Sequence, residues 1–224
     1  MLKGLIFDLD GVITDSARYH LAAWRALAEE LGINLPDKAS DELRGLARMD
    51  SLELILRYGH QENKYSLTQK EALAAKKNAA YQQAIKQMTQ ADILPGISKL
   101  LEQAHTQGLK MAIASASMNA PTILKQLGLL EQFDAIVDPK TLTHGKPNPE
   151  IYQKAQALLG LKADEVISFE DAASGIAAIK AANQFAVGIG NHQVLKQADL
   201  VVIDTSELDL AKIIAIFNLS LIHI

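Results

Sequence analysis

The hydrophobic positions of this chain follow different periods in different segments. Residues 2–9 form a short apolar run (Leu2, Leu5, Ile6, Phe7, Leu9) that ends in Asp-Leu-Asp-Gly, the pattern of a buried strand stopping at a functional loop. Over residues 17–31 the period changes. Leu21, Trp24, Leu27 and Leu31 recur at helical spacing on one face, and Gly32 supplies the stop. From there to about residue 90 only helical signals occur, in a segment rich in Ala, Lys, Gln and Glu. Asp50-Ser51-Leu52-Glu53 and Thr68-Gln69-Lys70-Glu71 each have the form of a capping box, in which side chains satisfy the free N–H groups of a new helix.

Past Leu94-Pro95-Gly96 strands and helices alternate. The pattern predicts helices over 97–107, 121–128, 149–160 and 172–182, with strands at 110–114, 135–137, 166–169, 185–189 and 200–203 and a final helix. Such alternation means right-handed βαβ crossovers and a mostly parallel sheet covered on both faces. The first strand must join that sheet, since one buried strand cannot stand alone. The expected fold class is therefore α/β, a Rossmann-like parallel-sheet core built from residues 1–15 and 92–224. A helical cap, residues 16–91, is inserted after the first strand.

Composition narrows the chemistry. The chain has 224 residues, 49% of them hydrophobic and 21% charged, which is ordinary for a globular protein. Its 22 Lys and Arg against 26 Asp and Glu leave a net charge of −4, with no basic footprint for nucleic acid. Cysteine is absent, which removes disulfides, thiolate nucleophiles and cysteine-ligated metals. The six histidines form no HxxxH or HExxH pair, against a histidine zinc site. No segment reaches the ~18 consecutive apolar residues of a membrane span, so the expected location is the cytoplasm.

In an open parallel sheet, ligands bind outside the carboxyl ends of the strands. Asp8, Asp10, Thr14 and Asp15 follow the first strand, and Ser115-Ala116-Ser117-Met118-Asn119 follow the strand at 110–114. His144-Gly145-Lys146-Pro147 come after 135–137, and Glu170-Asp171 after 166–169. Carboxylates crowded at one edge repel unless a cation sits among them, and all-oxygen ligands favour a hard ion such as Mg²⁺. A lysine and a serine hydroxyl nearby offer donors to phosphoryl oxygens. The residues thus point to metal-assisted phosphoryl transfer with an Asp nucleophile. Asp8 can attack phosphorus while Asp10, two residues on, moves the proton of the leaving or attacking oxygen. There is no GxxxxGK[ST] loop, and Gly188-Ile189-Gly190 lacks the third glycine of a dinucleotide fingerprint. Asp15 is expected to cap the first cap helix, the Trp24 and Leu27 stripe to be cap core, and His144 to be incidental.

Phe7-Asp8-Leu9-Asp10-Gly11-Val12-Ile13-Thr14-Asp15-Ser16 resembles the opening motif of the haloacid dehalogenase superfamily of phosphotransferases. Its three further motifs occur in order as Ser115, Lys146 in Gly-Lys-Pro-Asn-Pro, and Glu170-Asp171. Within that superfamily the cap resembles the β-phosphoglucomutase family, through Asp15-Ser16, His20, Trp24, the run from Leu43 through Gly45 and Arg48 to Ser51, and Lys76-Lys77-Asn78. So does the stretch Ala114-Ser115-Ala116-Ser117-Met118-Asn119-Ala120-Pro121.

That resemblance implies isomerisation of β-D-glucose 1-phosphate to D-glucose 6-phosphate, through an aspartyl-phosphate on Asp8 and β-glucose 1,6-bisphosphate. It implies Mg²⁺ bound by the carboxylates of Asp8, Glu170 and Asp171 and the backbone carbonyl of Asp10. Ser115 and Lys146 would hold the transferring phosphoryl group. Arg48, Ser117 and Asn119 would grip the other phosphate, with Gly45 and Ser51 among the substrate contacts. His20 and Lys77 would connect cap closure to the placement of Asp10. Met118 departs from the pattern, since family members often carry a lysine there. The expected partners are small sugar phosphates, with no nucleic acid and no membrane, and the expected state is a monomer. The rival reading is a sugar-phosphate phosphatase of the same superfamily, using the same aspartyl-phosphate chemistry with water as acceptor. A protein that only binds phosphosugars would have no need for Asp10.

Overall fold

The computed structural model describes residues 1–43, Leu46 and residues 48–221. The chain divides into two compact units, one of Met1–Asp15 with Met88–Ile224 and one of Ser16–Gln87. The second passage between units thus falls a few residues before the one read from the pattern. The segment at Gln90–Asp92 belongs with the first unit because Thr14 Oγ1 donates to Asp92 O at 2.6 Å and Leu94 N to Ile13 O at 3.0 Å.

The first strand of the α/β unit, β1 (Gly4–Phe7), is buried throughout. In the helical unit follow α1 (Ala17–Glu30), the short α2 (Ala39–Glu42), α3 (Arg48–Tyr58) and α4 (Leu67–Ile85). Back in the α/β unit, α5 (Ile97–Thr106) leads to β2 (Lys110–Ile113), and α6 (Ala120–Gln126) to β3 (Ala135–Ile136). Then come α7 (Glu150–Leu159), β4 (Val166–Glu170), α8 (Ala173–Ala181), β5 (Phe185–Ile189), β6 (Leu200–Val202) and α9 (Leu210–Ser220). The six strands form one sheet in the order β3-β2-β1-β4-β5-β6, every pairing parallel. This is the doubly wound order, whose reversal point lies beside the first strand. Among the described residues no helix is long and apolar enough to cross a membrane.

Alternation along the strands sends side chains to two buried faces. Ile6, Ala112, Ala114 and Ala186 pack with Ile151, Tyr152 and Ala155 of α7 and Ile176 and Ile179 of α8. On the opposite face Phe7 stacks on Phe169, ring centroids 4.7 Å apart and 8° from parallel, and meets Phe133 edge-on. Phe185 meets Phe217 of α9 in the same edge-on manner.

The helical unit closes around Trp24, Leu27 and Ala28 of α1, Leu52, Ile55 and Leu56 of α3 and Ala74 of α4. The α1 stripe read from the sequence is therefore core. Neither helix start lies where the two expected capping boxes put it. α3 begins at Arg48, which puts Asp50 inside its first turn, where a carboxylate faces the positive end of the helix dipole. The box of α4 starts two residues earlier than expected. Ser66 Oγ accepts from Gln69 N, and Gln69 Oε1 accepts from Ser66 N at 2.8 Å, so Ser66 and not Thr68 is the cap. Asp15 does not cap α1 either. The N-cap position is Ser16, whose hydroxyl pairs with the Tyr81 hydroxyl at 3.1 Å instead of with the helix end.

Phe169 is fully buried in the stack beneath the site. Phe169→Ala should destabilise the α/β unit by about 3–5 kcal/mol, the usual cost of a large buried aromatic and the cavity it leaves. Urea denaturation followed by circular dichroism measures it, and a midpoint equal to that of the unaltered protein would contradict the packing described.

Candidate active site

The parallel register decides which residues meet. Phe7 lies level with Ile113 on one side and Phe169 on the other, so Asp8 leaves β1 beside the ends of β2 and β4. Asp8 N donates to Phe169 O at 3.0 Å, and Ala114 N to Phe7 O at 2.8 Å. Glu170 is the last residue of β4 and Ser115 follows β2 by two residues. Asp8, Ser115 and Glu170 are thereby brought to one edge, all three buried.

Lys146 arrives on the loop after β3. That loop is tied to the start of α7, because the Glu150 carboxylate accepts from Thr143 N and, at 2.8 Å, from His144 N. These amides, with Lys154 at 3.0 Å, hold the Glu150 carboxyl down at about 2. His144 takes part through its backbone amide, and its imidazole Nδ1 lies 3.7 Å from Glu150 Oε2. Lys146 Nζ then reaches Asp8 Oδ1 at 2.6 Å and Glu170 Oε2 at 2.7 Å.

Asp8, Glu170 and Asp171 each offer a carboxylate oxygen, all within 4.8 Å of one another. Burial pushes the Asp8 carboxyl well up against the pull of Lys146, and Glu170 and Asp10 push the same way. Burial, then Glu170, raises Asp171 to about 7. Burial would lower the Lys146 ammonium, but Asp8 and Glu170 together raise it, so it stays charged. One lysine does not balance this much negative charge in a buried place, and a divalent cation held by carboxylate oxygens would. The donor set therefore fits a hard divalent ion.

Glycine makes the room. Gly11 has φ +76°, and a Cβ there would stand 2.0 Å from Asp171 Oδ2. A Cβ on Gly175 would stand 2.0 Å from Glu170 Cδ and Oε2. Beside the cluster, the loop after β2 is folded by its own hydroxyls. Ser115 Oγ accepts from Ser117 N at 3.1 Å and Ser117 Oγ from Asn119 N at 3.3 Å. Asn119 is buried, while Met118 is exposed.

The remaining candidates belong to the helical unit. His20 Nδ1 lies 2.7 Å from Lys77 Nζ, and the His20 ring stacks on Tyr81 with centroids 3.7 Å apart. Lys77 Nζ sits 4.4 Å over the Trp24 ring, a cation–π arrangement. Burial, then Lys77, lowers His20 to about 3, so it is neutral, and burial, then Arg48, lowers Lys77 to about 7. Arg48 is exposed and its Nη2 donates to Asn78 Oδ1 at 2.9 Å, while Ser51 is buried in α3. Gly45 lies outside the described residues.

Two residues absent from the sequence-based candidates belong to the acid cluster's surroundings. Tyr152, on the buried face of α7, donates its hydroxyl to Glu170 Oε2 at 2.5 Å. Gly175 admits the Glu170 carboxylate. The helical period marks Tyr152 as a core position, and its hydroxyl on an apolar face is the single hint of more.

Comparison with known proteins gives a consistent result. The sequence profile of the haloacid dehalogenase-like hydrolases matches residues 2–183. A β-phosphoglucomutase of Bacillus subtilis is 46% identical over 209 residues, 93% of this chain and 92% of the relative. A phosphorylated carbohydrates phosphatase of Thermotoga maritima is 28% identical over 184 residues, 81% of this chain and 82% of the relative. The crystal structure of a Clostridium difficile β-phosphoglucomutase superimposes with a TM-score of 0.91 at 41% identity, over 99% of this chain and 100% of that one.

Gly175→Ala should weaken divalent-cation binding by about 10–100-fold, because Glu170 is held by four donors and cannot yield to the new methyl without leaving its place. Titration calorimetry reads this, and an unaltered affinity would contradict it. A second expectation concerns pH. The unfolded chain keeps the Lys77 proton to its ordinary value of about 10.4, whereas the folded unit releases it near 7. The unfolded state binds more protons between these values, so Lys77 makes stability rise with pH across that window. Lys77→Met should remove this rise and lift the melting temperature most at pH 7 and below, as calorimetric scans from pH 6 to 10 would record.

Proposed function

The chain belongs to the haloacid dehalogenase-like hydrolase family, and from that premise we propose that it isomerises β-D-glucose 1-phosphate to D-glucose 6-phosphate. The observation that carries this is the 46% identity to a β-phosphoglucomutase over nearly the whole chain, helical unit included. The constellation of Asp8, Lys146 and Glu170 supports it with the chemistry such a reaction needs. We assign Mg²⁺ to the carboxylates of Asp8, Glu170 and Asp171 and the carbonyl of Asp10, where it would neutralise charge on the transferring phosphoryl group.

Asp8 carries the phosphoryl group between two half-reactions. In the first, the 6-hydroxyl oxygen of β-glucose 1-phosphate bonds to phosphorus, and the bond from phosphorus to Asp8 breaks. Asp10 takes the hydroxyl proton, and β-glucose 1,6-bisphosphate results. In the second, the bisphosphate presents its other end. Asp8 attacks that phosphorus, the bond to the anomeric oxygen breaks, and Asp10 returns its proton to that oxygen. Glucose 6-phosphate leaves and Asp8 is phosphorylated again. Lys146 stays charged beside Asp8 and, with Ser115, donates to the phosphoryl oxygens as charge develops on them.

Substrate recognition is assigned to His20, Gly45, Arg48, Ser51, Lys77, Ser117 and Asn119 on the family resemblance. Arg48 takes the phosphate that is not reacting, for which a planar guanidinium is suited. Its exposed position on the helical unit supports this role. The enzyme is assigned to the cytoplasm as a monomer, where charged sugar phosphates that do not cross membranes are available to it.

A coupled assay for glucose 6-phosphate, with Mg²⁺ and a trace of bisphosphate and with free phosphate followed in parallel, tests the reading. Rapid glucose 6-phosphate with little phosphate release is expected from the unaltered protein and none from Asp8→Asn. Arg48→Ala should lower kcat/KM on the order of ten- to a hundredfold, the loss of a hydrogen bond to a charged group. Phosphate as the main product would instead make water the acceptor and the enzyme a sugar-phosphate phosphatase.

A further inference from the structure

Glu170 accepts four hydrogen bonds, two at each carboxylate oxygen. Its Oε1 accepts from Asp171 N at 3.2 Å and Ala172 N at 3.1 Å, and its Oε2 accepts from Tyr152 Oη at 2.5 Å and Lys146 Nζ at 2.7 Å. The two amides lie immediately after Glu170 in its own chain and fix one oxygen. The lysine stands at the end of a flexible side chain and is shared with Asp8. Tyr152 is different, because it is a rigid ring, fully buried, from another element.

That element is itself anchored to β4. Gln184 Nε2 donates to Tyr152 O at 3.1 Å and to Gln156 Oε1 at 2.9 Å, while Gln184 Oε1 accepts from Ser168 Oγ at 2.6 Å. Ser168 lies in the same strand as Glu170, two residues before it. The loop of Lys146 is tied in turn to the first residue of α7 by Glu150. Lys146 Nζ also lies 5.1 Å from the centre of the Tyr152 ring. Ring, hydroxyl and helix therefore set Lys146 and Glu170 against each other from one side.

We propose that Tyr152 is a positioning residue of the phosphoryl-transfer site, its hydroxyl fixing the Oε2 edge of Glu170 so that this carboxylate and Lys146 are aligned before any ligand binds. The proposal rests on the reading of Glu170 as a ligand of the divalent cation. Outer partners that orient ligating groups are worth a substantial part of metal affinity and rate. A tyrosine can do this here because its ring is locked by core packing and its reach is fixed, so little freedom is left for the carboxylate.

Tyr152→Phe removes the hydroxyl and keeps the ring, its packing and its contact with Lys146. Magnesium binding by the resting protein, without sugar phosphate, is measured by titration calorimetry and is expected to weaken about tenfold. Turnover should show kcat down by a similar factor with KM for sugar phosphate within about twofold, since the substrate's own contacts are untouched. p-Aminophenylalanine in place of Tyr152 keeps a donor at the same position and should restore both quantities. Magnesium affinity and kcat equal to the unaltered enzyme would overturn the proposal. So would a fall in melting temperature alone, or an amine that rescues nothing. The calorimetric arm needs no isomerase activity, so failure of the proposed reaction leaves it readable.

Discussion

Buried negative charge is the constraint around which this protein is arranged. Two neighbouring strands of a parallel sheet, β1 and β4, end side by side, and their register brings a carboxylate oxygen of each of Asp8, Glu170 and Asp171 within 4.8 Å of the others, while Asp10 adds its negative charge to Asp8 and Asp171. Carboxylates so placed cannot all ionise without a counter-charge. Lys146 supplies one positive charge, shared between Asp8 and Glu170, and a divalent cation would supply the rest. The same imbalance suits a phosphoryl group in transit. Its added negative charge is tolerable only where cationic groups already stand, and those groups are held by bonds that exist before it arrives.

Holding such a cluster costs room and polar satisfaction, and the surrounding residues provide both. Gly11 and Gly175 leave space where any side chain would collide with Asp171 or Glu170. Behind Glu170 a buried chain of polar groups runs through Tyr152, Gln184 and Ser168, each with its partner. An unpaired polar group in such a place would cost more than it gains. Among the described residues no buried side-chain nitrogen or oxygen lacks a hydrogen-bond partner.

The helical unit solves a different electrostatic problem. There a lysine is buried against two aromatic rings and a neutral histidine, and its proton is loosened to about 7. In the α/β unit Lys146 stays charged in spite of its burial because carboxylates face it, whereas Lys77 meets ring faces and an imidazole, which compensate an ammonium far less. The two lysines are chemically identical in sequence. Their neighbours make one a permanent cation and the other a group that titrates near neutrality.

Much of this was legible without coordinates, for reasons that lie in the chain itself. Period-two and period-3.6 patterns report which face of an element is buried, so the alternation after residue 94 identified the parallel sheet, and residues after each strand were candidates by position alone. Asp8, Ser115, Lys146, Glu170 and Asp171 are singled out as candidates in that way. Local caps were less legible, because several Ser, Thr and Asp residues compete near each helix start and the hydroxyl with the better-placed amide wins, as Ser66 does over Thr68. Gly175 and Gln184 are illegible, since nothing local separates them from ordinary helix or turn positions, and Tyr152 offers only the hint of a hydroxyl on an apolar helix face. By itself, then, the sequence determined the order of elements and the ends of strands where chemistry gathers. Tertiary packing alone decided which donors meet Glu170, which glycines must stay bare and which lysine keeps its proton, because these follow from distances between residues far apart in the chain.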